Sequence, residues 1–278
     1  ICALHRTAVA SLDSLLAPFL VWPDPLAVAL RQSMENHMSS TSNAGADAYL
    51  GEVFRLQDRD AVVIGGTSGL GAAGAVALAR CGARVTIAGR SEERAAALQQ
   101  EIESFGGTAY TDTVDVCDEA SVAGLAERCH ERHDGVDILL NAAGVIVPRP
   151  SVEVSLEEWR FHIDTNLTGT FLGCREFGRR MIEQGSGSII NFGSTDSFIG
   201  VPEEVAYCSS KGAVAQLTRT LGAEWIQHGV RVNAVGPSDF VTPMAEPFLD
   251  DQEFIEWQKT VVPIGRLGQP SELVGALL

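Results

Sequence analysis

The chain has 278 residues, of which 45% are hydrophobic, and its formal net charge at pH 7 is −16. This length is sufficient for one sizeable α/β domain with a buried core. Because an acidic surface repels nucleic acids and anionic membranes, the composition argues against both as partners and mainly predicts solubility.

Residues 1–53 are predicted to be an N-terminal tail that is disordered or non-native in part. The first residue is Ile1 rather than methionine, and Met34 or Met38 is a plausible true start. The sequence SSTSNAGADA after Met38 is typical of a linker. A short interaction helix around Leu26 to Met34 is the alternative.

The apolar run Leu15 to Leu30 is interrupted by prolines and by Asp24, so it predicts neither a membrane span nor a signal peptide. Without a secretory signal, we expect a cytoplasmic protein with reduced thiols. His130 and His133 share a helix face without a third ligand nearby, which favours a solvated helix over a metal site. The cysteines are scattered along the chain: Cys2, Cys81, Cys117, Cys129, Cys174 and Cys208.

From Asp60 onward, apolar strand-like runs alternate with helical stretches. Strands without polar alternation, each followed by a helix, predict a parallel sheet covered on both faces, which is a Rossmann-type, doubly wound α/β fold. Residues 54–278 are therefore predicted to form a single domain. The predicted strands are 61–66, 84–89, 108–116, 136–144, 188–194 and 230–237, and the two longest predicted helices are Leu156 to Gln184 and about Tyr207 to Gln227.

The end of the chain is predicted to be truncated. The sequence stops at Leu278, inside a helix that Pro270 and Ser271 open. A domain of this type normally adds another strand after the last one predicted here. We therefore expect the sheet to lack its last strand.

A glycine-rich segment, GGTSGLGAAG, joins the first strand to the first helix. Gly65, Gly69 and Gly71 allow a tight turn and a close approach to a pyrophosphate, and the helix N-terminus offers free N–H groups to that anion. GLGAAG, from Gly69 to Gly74, fits the dinucleotide fingerprint in the required strand–turn–helix context. The alternative is a tight turn that only packs the helix against the sheet.

A candidate catalytic pair is formed by Tyr207 and Lys211, which are four residues apart and so lie on one helix face. A nearby ammonium lowers the pKa of a phenol from about 10 and makes proton exchange at neutral pH easier. Ser194 ends a predicted strand, Asn166 lies in the preceding helical region, and Asn141 to Gly144 end another strand at the edge where ligands bind. The alternative for the pair is an ordinary helix face.

These motifs together resemble the short-chain dehydrogenase/reductase family, from roughly Phe54 to the end of the chain. The sequence departs from the family pattern at Ile64, Ala142 and Ser238, where the family usually has threonine, asparagine and glycine. The resemblance implies the catalytic set Asn166, Ser194, Tyr207 and Lys211. The implied cofactor contacts are Gly65, Thr67, Ser68, Gly69, Leu70, Gly71, Arg90, Ser91, Asp115, Val116, Asn141, Ala142, Ala143, Gly144, Tyr207, Lys211, Pro237, Val241 and Thr242.

The resemblance also implies a role for each catalytic residue. Tyr207 would donate a proton to the carbonyl oxygen in reduction or accept one in oxidation, and Ser194 would stabilise charge on that oxygen. Lys211 would lower the Tyr207 pKa and hold the nicotinamide ribose. Asn166 would anchor a water that relays protons from Lys211 to solvent.

The residues after the second strand favour NADP over NAD. Where an NAD-selective protein carries an acid for the ribose 2′-hydroxyl, this chain has Gly89 followed by Arg90. Arg90 can pair with a 2′-phosphate, and Ser91 can add a hydroxyl. Glu92 and Glu93 weaken the local positive field. The alternative is that Arg90 only starts the next helix with a solvent-facing charge.

The sequence identifies the substrate-binding residues less specifically than the cofactor-binding and catalytic ones. Met244 to Thr260 is expected to form a mobile flap over the pocket, and its aromatic residues Phe248, Phe254 and Trp257 are candidate apolar contacts or helix packing. Asp196 is expected to cap a loop, with substrate contact as the alternative. The acidic pairs are interpreted as solvated surface or helix N-terminal charge: Glu92–Glu93, Glu157–Glu158, Glu203–Glu204 and Asp250–Asp251.

The resemblance predicts an enzyme that transfers a hydride between nicotinamide and a small ketone, secondary alcohol or sugar-acid-type substrate. A 3-oxoacyl-thioester reductase is the alternative in the same class, and a non-catalytic nucleotide sensor or scaffold is the alternative in another. A homodimer or homotetramer is expected, because in the family the two long helices pack against their symmetry mates. Phe171, Leu172 and Val214 are predicted to supply that face.

Overall fold

The computed structural model describes residues 44–133, 135–246 and 249–278. The chain divides into two units at Phe54, and each is described by itself. The predicted disorder of residues 1–43 and the alternative helix at Leu26 to Met34 lie outside the described residues. Helix α1 (Ala44–Val53) belongs to the first unit, so the predicted linker is wrong from Ala44 onward. Its alanines have high intrinsic helix propensity, which the linker interpretation ignored.

The second unit is built on a six-stranded sheet in the order β3-β2-β1-β4-β5-β6, with every adjacent pair parallel. The strands are β1 (Asp60–Ile64), β2 (Arg84–Gly89), β3 (Thr108–Thr113), β4 (Ile138–Asn141), β5 (Gly187–Phe192) and β6 (Val230–Val235). The helices are α2 (Gly69–Arg80), α3 (Glu92–Ser104), α4 (Glu119–His133), α5 (Leu156–His162), α6 (Gly169–Gln184), α7 (Val205–Trp225), α8 (Gln252–Val261) and α9 (Pro270–Leu277).

Helices cover both faces of the sheet, as the apolar strands predict. Neighbouring residues of β1 belong to different cores, because side chains alternate along a strand. Val62 packs with Leu125 of α4 and Phe177 of α6, whereas Val63 packs with Leu78 of α2 and Ile102 of α3. The doubly wound α/β fold is confirmed. Among the described residues, no helix combines the length and apolar character that a membrane crossing requires.

The strands end earlier than predicted. β4 ends at Asn141 and β5 at Phe192, so Ser194 lies two residues beyond its strand. The predicted single helix Leu156 to Gln184 is interrupted by a π-helical turn over Ile163–Thr168. Such turns insert an extra residue into a helix and are frequent at functional sites.

The predicted intersubunit face is partly wrong. Leu172 and Val214 are buried within this chain, with 5% and 0% of their surface exposed, so they are not available for a contact between subunits. Phe171 is 38% exposed, and the Arg175 guanidinium lies over its ring.

A buried ionic cluster ties together the amino ends of the central strands. The Asp60 carboxylate, 6% exposed, accepts hydrogen bonds from Arg84 at 2.5 and 2.7 Å. His133 Nδ1 lies 2.8 Å from the same carboxylate, and the His133 side chain is 4% exposed. Burial lowers the pKa of His133, and the Asp60 charge opposes that shift. His133 therefore belongs to the interior, and the predicted solvated helix face is wrong at this position.

We predict that Asp60→Ala lowers the free energy of unfolding by about 3 kcal/mol, because removing one partner of a buried ionic cluster leaves the others unpaired. Urea unfolding measures this loss. Glu101→Ala, at an exposed position of α3, is the control. A loss no larger than that of the control would contradict the structural role of Asp60.

Candidate active site

The glycine turn after β1 is shaped for close approach. Gly65 has φ +79°, and a Cβ there would lie 2.4 Å from the Ala143 backbone nitrogen. A Cβ on Gly71 would lie 2.3 Å from the Gly65 carbonyl oxygen. No side chain fits at either position. The turn therefore brings backbone N–H groups at the start of α2 to the edge of a cleft, where they can receive an anion.

The cleft has a volume of about 850 Å³ and follows the carboxyl ends of the strands. This is the edge where open parallel sheets bind ligands. Most of the predicted site residues line it: Gly65, Thr67, Ser68, Gly69, Leu70, Gly71, Arg90, Ser91, Asp115, Val116, Ala142, Ala143, Gly144, Ser194, Tyr207, Lys211, Pro237 and Thr242.

Three predicted site residues do not line the cleft, namely Asn141, Asn166 and Val241. The Asn141 side chain points into the interior and donates a hydrogen bond to Asn191 Oδ1 at 2.9 Å. The Val241 backbone nitrogen bonds to the Gly268 carbonyl, and its side chain is not directed into the cleft. Asn141 and Val241 therefore lie beside the cleft rather than on its lining, and their cofactor contacts remain a prediction.

Asn166 lies in the π-helical turn and is fully buried. Its Oδ1 accepts from the Val145 N–H at 2.8 Å, and its Nδ2 donates to the Val145 carbonyl and to Ser210 Oγ at 2.9 and 3.0 Å. The amide thus holds the loop after β4 against α7. The water-anchoring role that the resemblance implies for Asn166 remains a prediction.

Lys211 is a buried cation at the floor of the cleft. Its side chain comes from α7, and Nζ donates to the Phe192 carbonyl at 2.8 Å. Burial lowers the Lys211 pKa to about 8, and the nearby Asp196 charge opposes that change. The ammonium lies 5.7 Å from the Tyr207 ring centroid.

Tyr207 lies one helical turn before Lys211, with its hydroxyl hydrogen-bonded to Ser194. Burial raises the Tyr207 pKa above the ordinary value, and the Ser194 bond only partly offsets this. The predicted lowering by Lys211 is not the dominant effect here, because the ammonium is directed to a backbone carbonyl. The phenol is therefore protonated at neutral pH.

Ser194 is fixed by the short 3₁₀ turn Thr195–Ser197. Its Oγ donates to Asp196 Oδ2 at 3.0 Å and accepts from the Asp196 backbone N–H at 3.1 Å. The Ser194 N–H donates to Ser197 Oγ, which in turn donates to the Lys211 carbonyl at 2.9 Å. The turn thereby couples the position of Ser194 to helix α7.

The end of the cleft beside β2 carries positive charge. Arg90 is exposed at the end of β2, and Arg94 also lines this end. A Cβ on Gly89 would lie 2.7 Å from Thr67 Cγ2, so the strand passes close to the glycine turn. Ser91 Oγ accepts from the Arg94 N–H and so caps α3. This combination of an anion-binding turn and cations beside β2 fits a dinucleotide that carries an additional phosphate.

Acidic residues gather around Tyr207. Glu204, interpreted from sequence as part of a solvated pair, lines the cleft, as does Asp239. The Glu204 pKa is raised to about 7, mainly by burial and also by the charges of Asp196 and Asp239. Glu204 is therefore not a solvated residue; it is the N-cap of α7, in agreement with the alternative interpretation of helix N-terminal charge. Its position three residues before Tyr207 does not by itself reveal this burial.

The aromatic residues expected over the pocket are partly located. Phe254 and Trp257 of α8 line the cleft, with ring centroids 6.1 Å apart. Phe248 lies outside the described residues. The predicted mobility of the segment remains a prediction.

A Rossmann-type sheet with a dinucleotide cradle beside a Tyr–Lys pair is the architecture of a nicotinamide-dependent oxidoreductase. Residues 59–253 match the family model described as short chain dehydrogenase. The chain belongs to the short-chain dehydrogenase/reductase family, and it is an NAD(P)-dependent oxidoreductase that acts on small molecules.

Similar proteins include a D-threitol dehydrogenase of Mycolicibacterium smegmatis, 37% identical over 80% of this chain and 85% of the relative. A galactitol 2-dehydrogenase (L-tagatose-forming) of Cereibacter sphaeroides is 39% identical over 81% of this chain and 89% of its own length. The crystal structure of a gluconate 5-dehydrogenase from Burkholderia cenocepacia in complex with NADP and tartrate is 34% identical, with a TM-score of 0.78, and covers 81% of this chain and 88% of its own.

We predict that Glu204→Gln stabilises the protein at pH 8 but not at pH 5. A carboxyl whose folded-state pKa is raised binds its proton more tightly in the folded state, so its contribution to stability is lost as pH rises through about 7. The glutamine removes this loss. The melting temperature of the variant should exceed that of the wild type by about 2 °C at pH 8 and differ little at pH 5.

Glu183→Gln, on the exposed end of α6, is the control and should show no such pH dependence. An equal difference between Glu204→Gln and the wild type at both pH values would contradict the assignment.

Proposed function

We propose that this oxidoreductase uses NADP to interconvert small ketones and secondary alcohols, with Tyr207 as the general acid and base. The N–H groups at the start of α2 would hold the pyrophosphate, and Arg90 the 2′-phosphate. When bound, NADP supplies or accepts the hydride. NADP is favoured over NAD because the end of β2 carries Arg90 rather than an acidic side chain, and the similar gluconate 5-dehydrogenase structure contains NADP.

The observation that carries the proposal is the buried Tyr207 hydroxyl, which is hydrogen-bonded to Ser194 at the cleft. The phenol is protonated at neutral pH, so it can donate its proton to a carbonyl oxygen. In this proposal Ser194 turns its hydroxyl from Asp196 to the same oxygen and stabilises charge that develops there. The Lys211 ammonium supplies a buried positive charge beside the phenol, which favours the phenolate that remains after proton transfer.

The substrate is proposed to be a small polyol, its ketone, or a related sugar acid. Relatives named for threitol, galactitol and gluconate support this range. We also propose a homodimer or homotetramer, in which the exposed Phe171 of α6 belongs to the contact between subunits.

We predict that Tyr207→Phe reduces kcat at least about a hundredfold, the usual range for a lost general acid. The Kd for NADP should remain within about twofold, because the substitution removes only a hydroxyl. Steady-state kinetics and fluorescence titration measure the two quantities. Tyr110→Phe, in the His133 cluster, is the matched control and should retain activity. Substantial turnover by Tyr207→Phe would contradict its role.

We predict that Arg90→Ala raises the KM for NADP at least about tenfold, as expected for a lost charged hydrogen bond. The KM for NAD should barely change, because NAD has no 2′-phosphate. Kinetics with each cofactor at saturating substrate measure both values. Arg160→Ala, at an exposed position of α5, is the control. Equal KM values of the wild type for the two cofactors would contradict the NADP assignment.

A further inference from the structure

Asp196 is a charged residue of the cleft that the proposed reaction does not use. It lies in the turn immediately after Ser194, and its side chain is partly buried and lines the cleft. Its Oδ2 lies 3.0 Å from Ser194 Oγ, and its Oδ1 accepts from Thr195 Oγ1 at 3.3 Å. A carboxylate oxygen is therefore within hydrogen-bond distance of the hydroxyl that contacts the reacting oxygen in the proposed function.

We infer that Asp196 selects substrates that carry a hydroxyl on the carbon next to the reacting carbon, that is, vicinal diols and α-hydroxy ketones. This inference rests on the proposed function, in which the reacting oxygen lies between Tyr207 and Ser194. The oxygens of a vicinal diol are separated by about the length of a hydrogen bond. With one oxygen at Ser194, the neighbouring hydroxyl comes within reach of Asp196 Oδ2.

The chemistry of the carboxylate makes this contact selective. An ionised carboxylate only accepts hydrogen bonds, so it binds an O–H group but forms no hydrogen bond with a methyl or methylene group. Hydrogen bonds to a charged acceptor are roughly twice as strong as those between neutral groups. Oδ2 would accept from the substrate hydroxyl in place of Ser194 Oγ, which frees the Ser194 proton for the reacting oxygen, while Oδ1 keeps its bond from Thr195.

The surrounding charges support an O–H donor rather than an anionic group at this place. Glu204 and Asp239 line the same part of the cleft and interact electrostatically with Tyr207, as Asp196 does. Arg90 and Arg94 line the end beside β2 instead. A carboxylate on the adjacent carbon of a substrate would therefore meet like charges.

A purely structural role for Asp196 predicts a different pattern of kinetics. Its backbone N–H and carboxylate already hold Ser194, so loss of Asp196 could misplace Ser194. Such a defect would slow every substrate in the same proportion. A lost hydroxyl contact would slow only substrates that carry that hydroxyl.

The test compares 3-hydroxybutan-2-one with butan-2-one, which share a carbon skeleton, as substrates for reduction by NADPH. We expect the wild type to show a kcat/KM at least about tenfold higher for the hydroxy ketone. Asp196→Ala should lose at least about tenfold on the hydroxy ketone and less than about threefold on butan-2-one, as expected for one charged hydrogen bond. Asp196→Asn is isosteric and keeps an acceptor oxygen. Its kcat/KM for the hydroxy ketone should lie between the values of the wild type and Asp196→Ala.

Asp118→Ala is the control, because Asp118 also bonds a backbone N–H two residues later but does not line the cleft. An unchanged Kd for NADP shows that each variant is folded. Equal wild-type kcat/KM values for the two ketones, or a loss by the same factor on both ketones in Asp196→Ala, would overturn the inference and leave the proposed function intact. Failure of the wild type to reduce either ketone or any of a wider set of polyol-derived ketones would overturn the proposed function, and the inference with it.

Discussion

The reversal of strand order at β1 and β4 is the constraint on which the site depends. Strands β2 and β3 follow β1 on one side of the sheet, whereas β4 lies on the other side of β1. The connections that follow these neighbouring strands leave toward opposite faces, which opens a crevice at their carboxyl ends. The crevice walls are close: Ala142 N–H bonds the Ile64 carbonyl at 2.8 Å, and the absence of a Cβ at Gly65 permits this approach. A backbone cradle therefore faces the residues that follow β5.

Burial controls the protonation of Lys211 and Tyr207 at the substrate end of the cleft. The ammonium of Lys211 is held by the Phe192 carbonyl, so helix α7 is fixed to the end of β5 and carries Tyr207 with it. Burial lowers the Lys211 pKa and raises the Tyr207 pKa, while the Asp196 charge opposes the first shift and adds to the second. Arg90 and Arg94 lie at the cofactor end, and Asp196, Glu204 and Asp239 lie around Tyr207 at the substrate end, although the chain as a whole is acidic. This separation matches an anionic cofactor and a hydroxylated substrate.

Local patterns predicted the parallel sheet, the glycine turn and the Tyr207–Lys211 face, because each depends on residues close in sequence. The π-helical turn around Asn166 could not be predicted, since one inserted residue hardly alters the helical period. The burial of His133 depends on Asp60, which is distant in sequence. Glu204 was interpreted as solvated because its burial results from tertiary packing beside the cleft, and the spacing from Tyr207 alone does not reveal that packing.

The central claim is that this cleft brings a nicotinamide and a carbonyl carbon together for direct hydride transfer. Reduction of 3-hydroxybutan-2-one with NADPH deuterated at the transferring position of the nicotinamide, followed by mass spectrometry of the alcohol, tests it most directly. The account predicts one deuterium on the carbinol carbon for each cofactor oxidised. Oxidation of the cofactor without deuterium in the alcohol would contradict it.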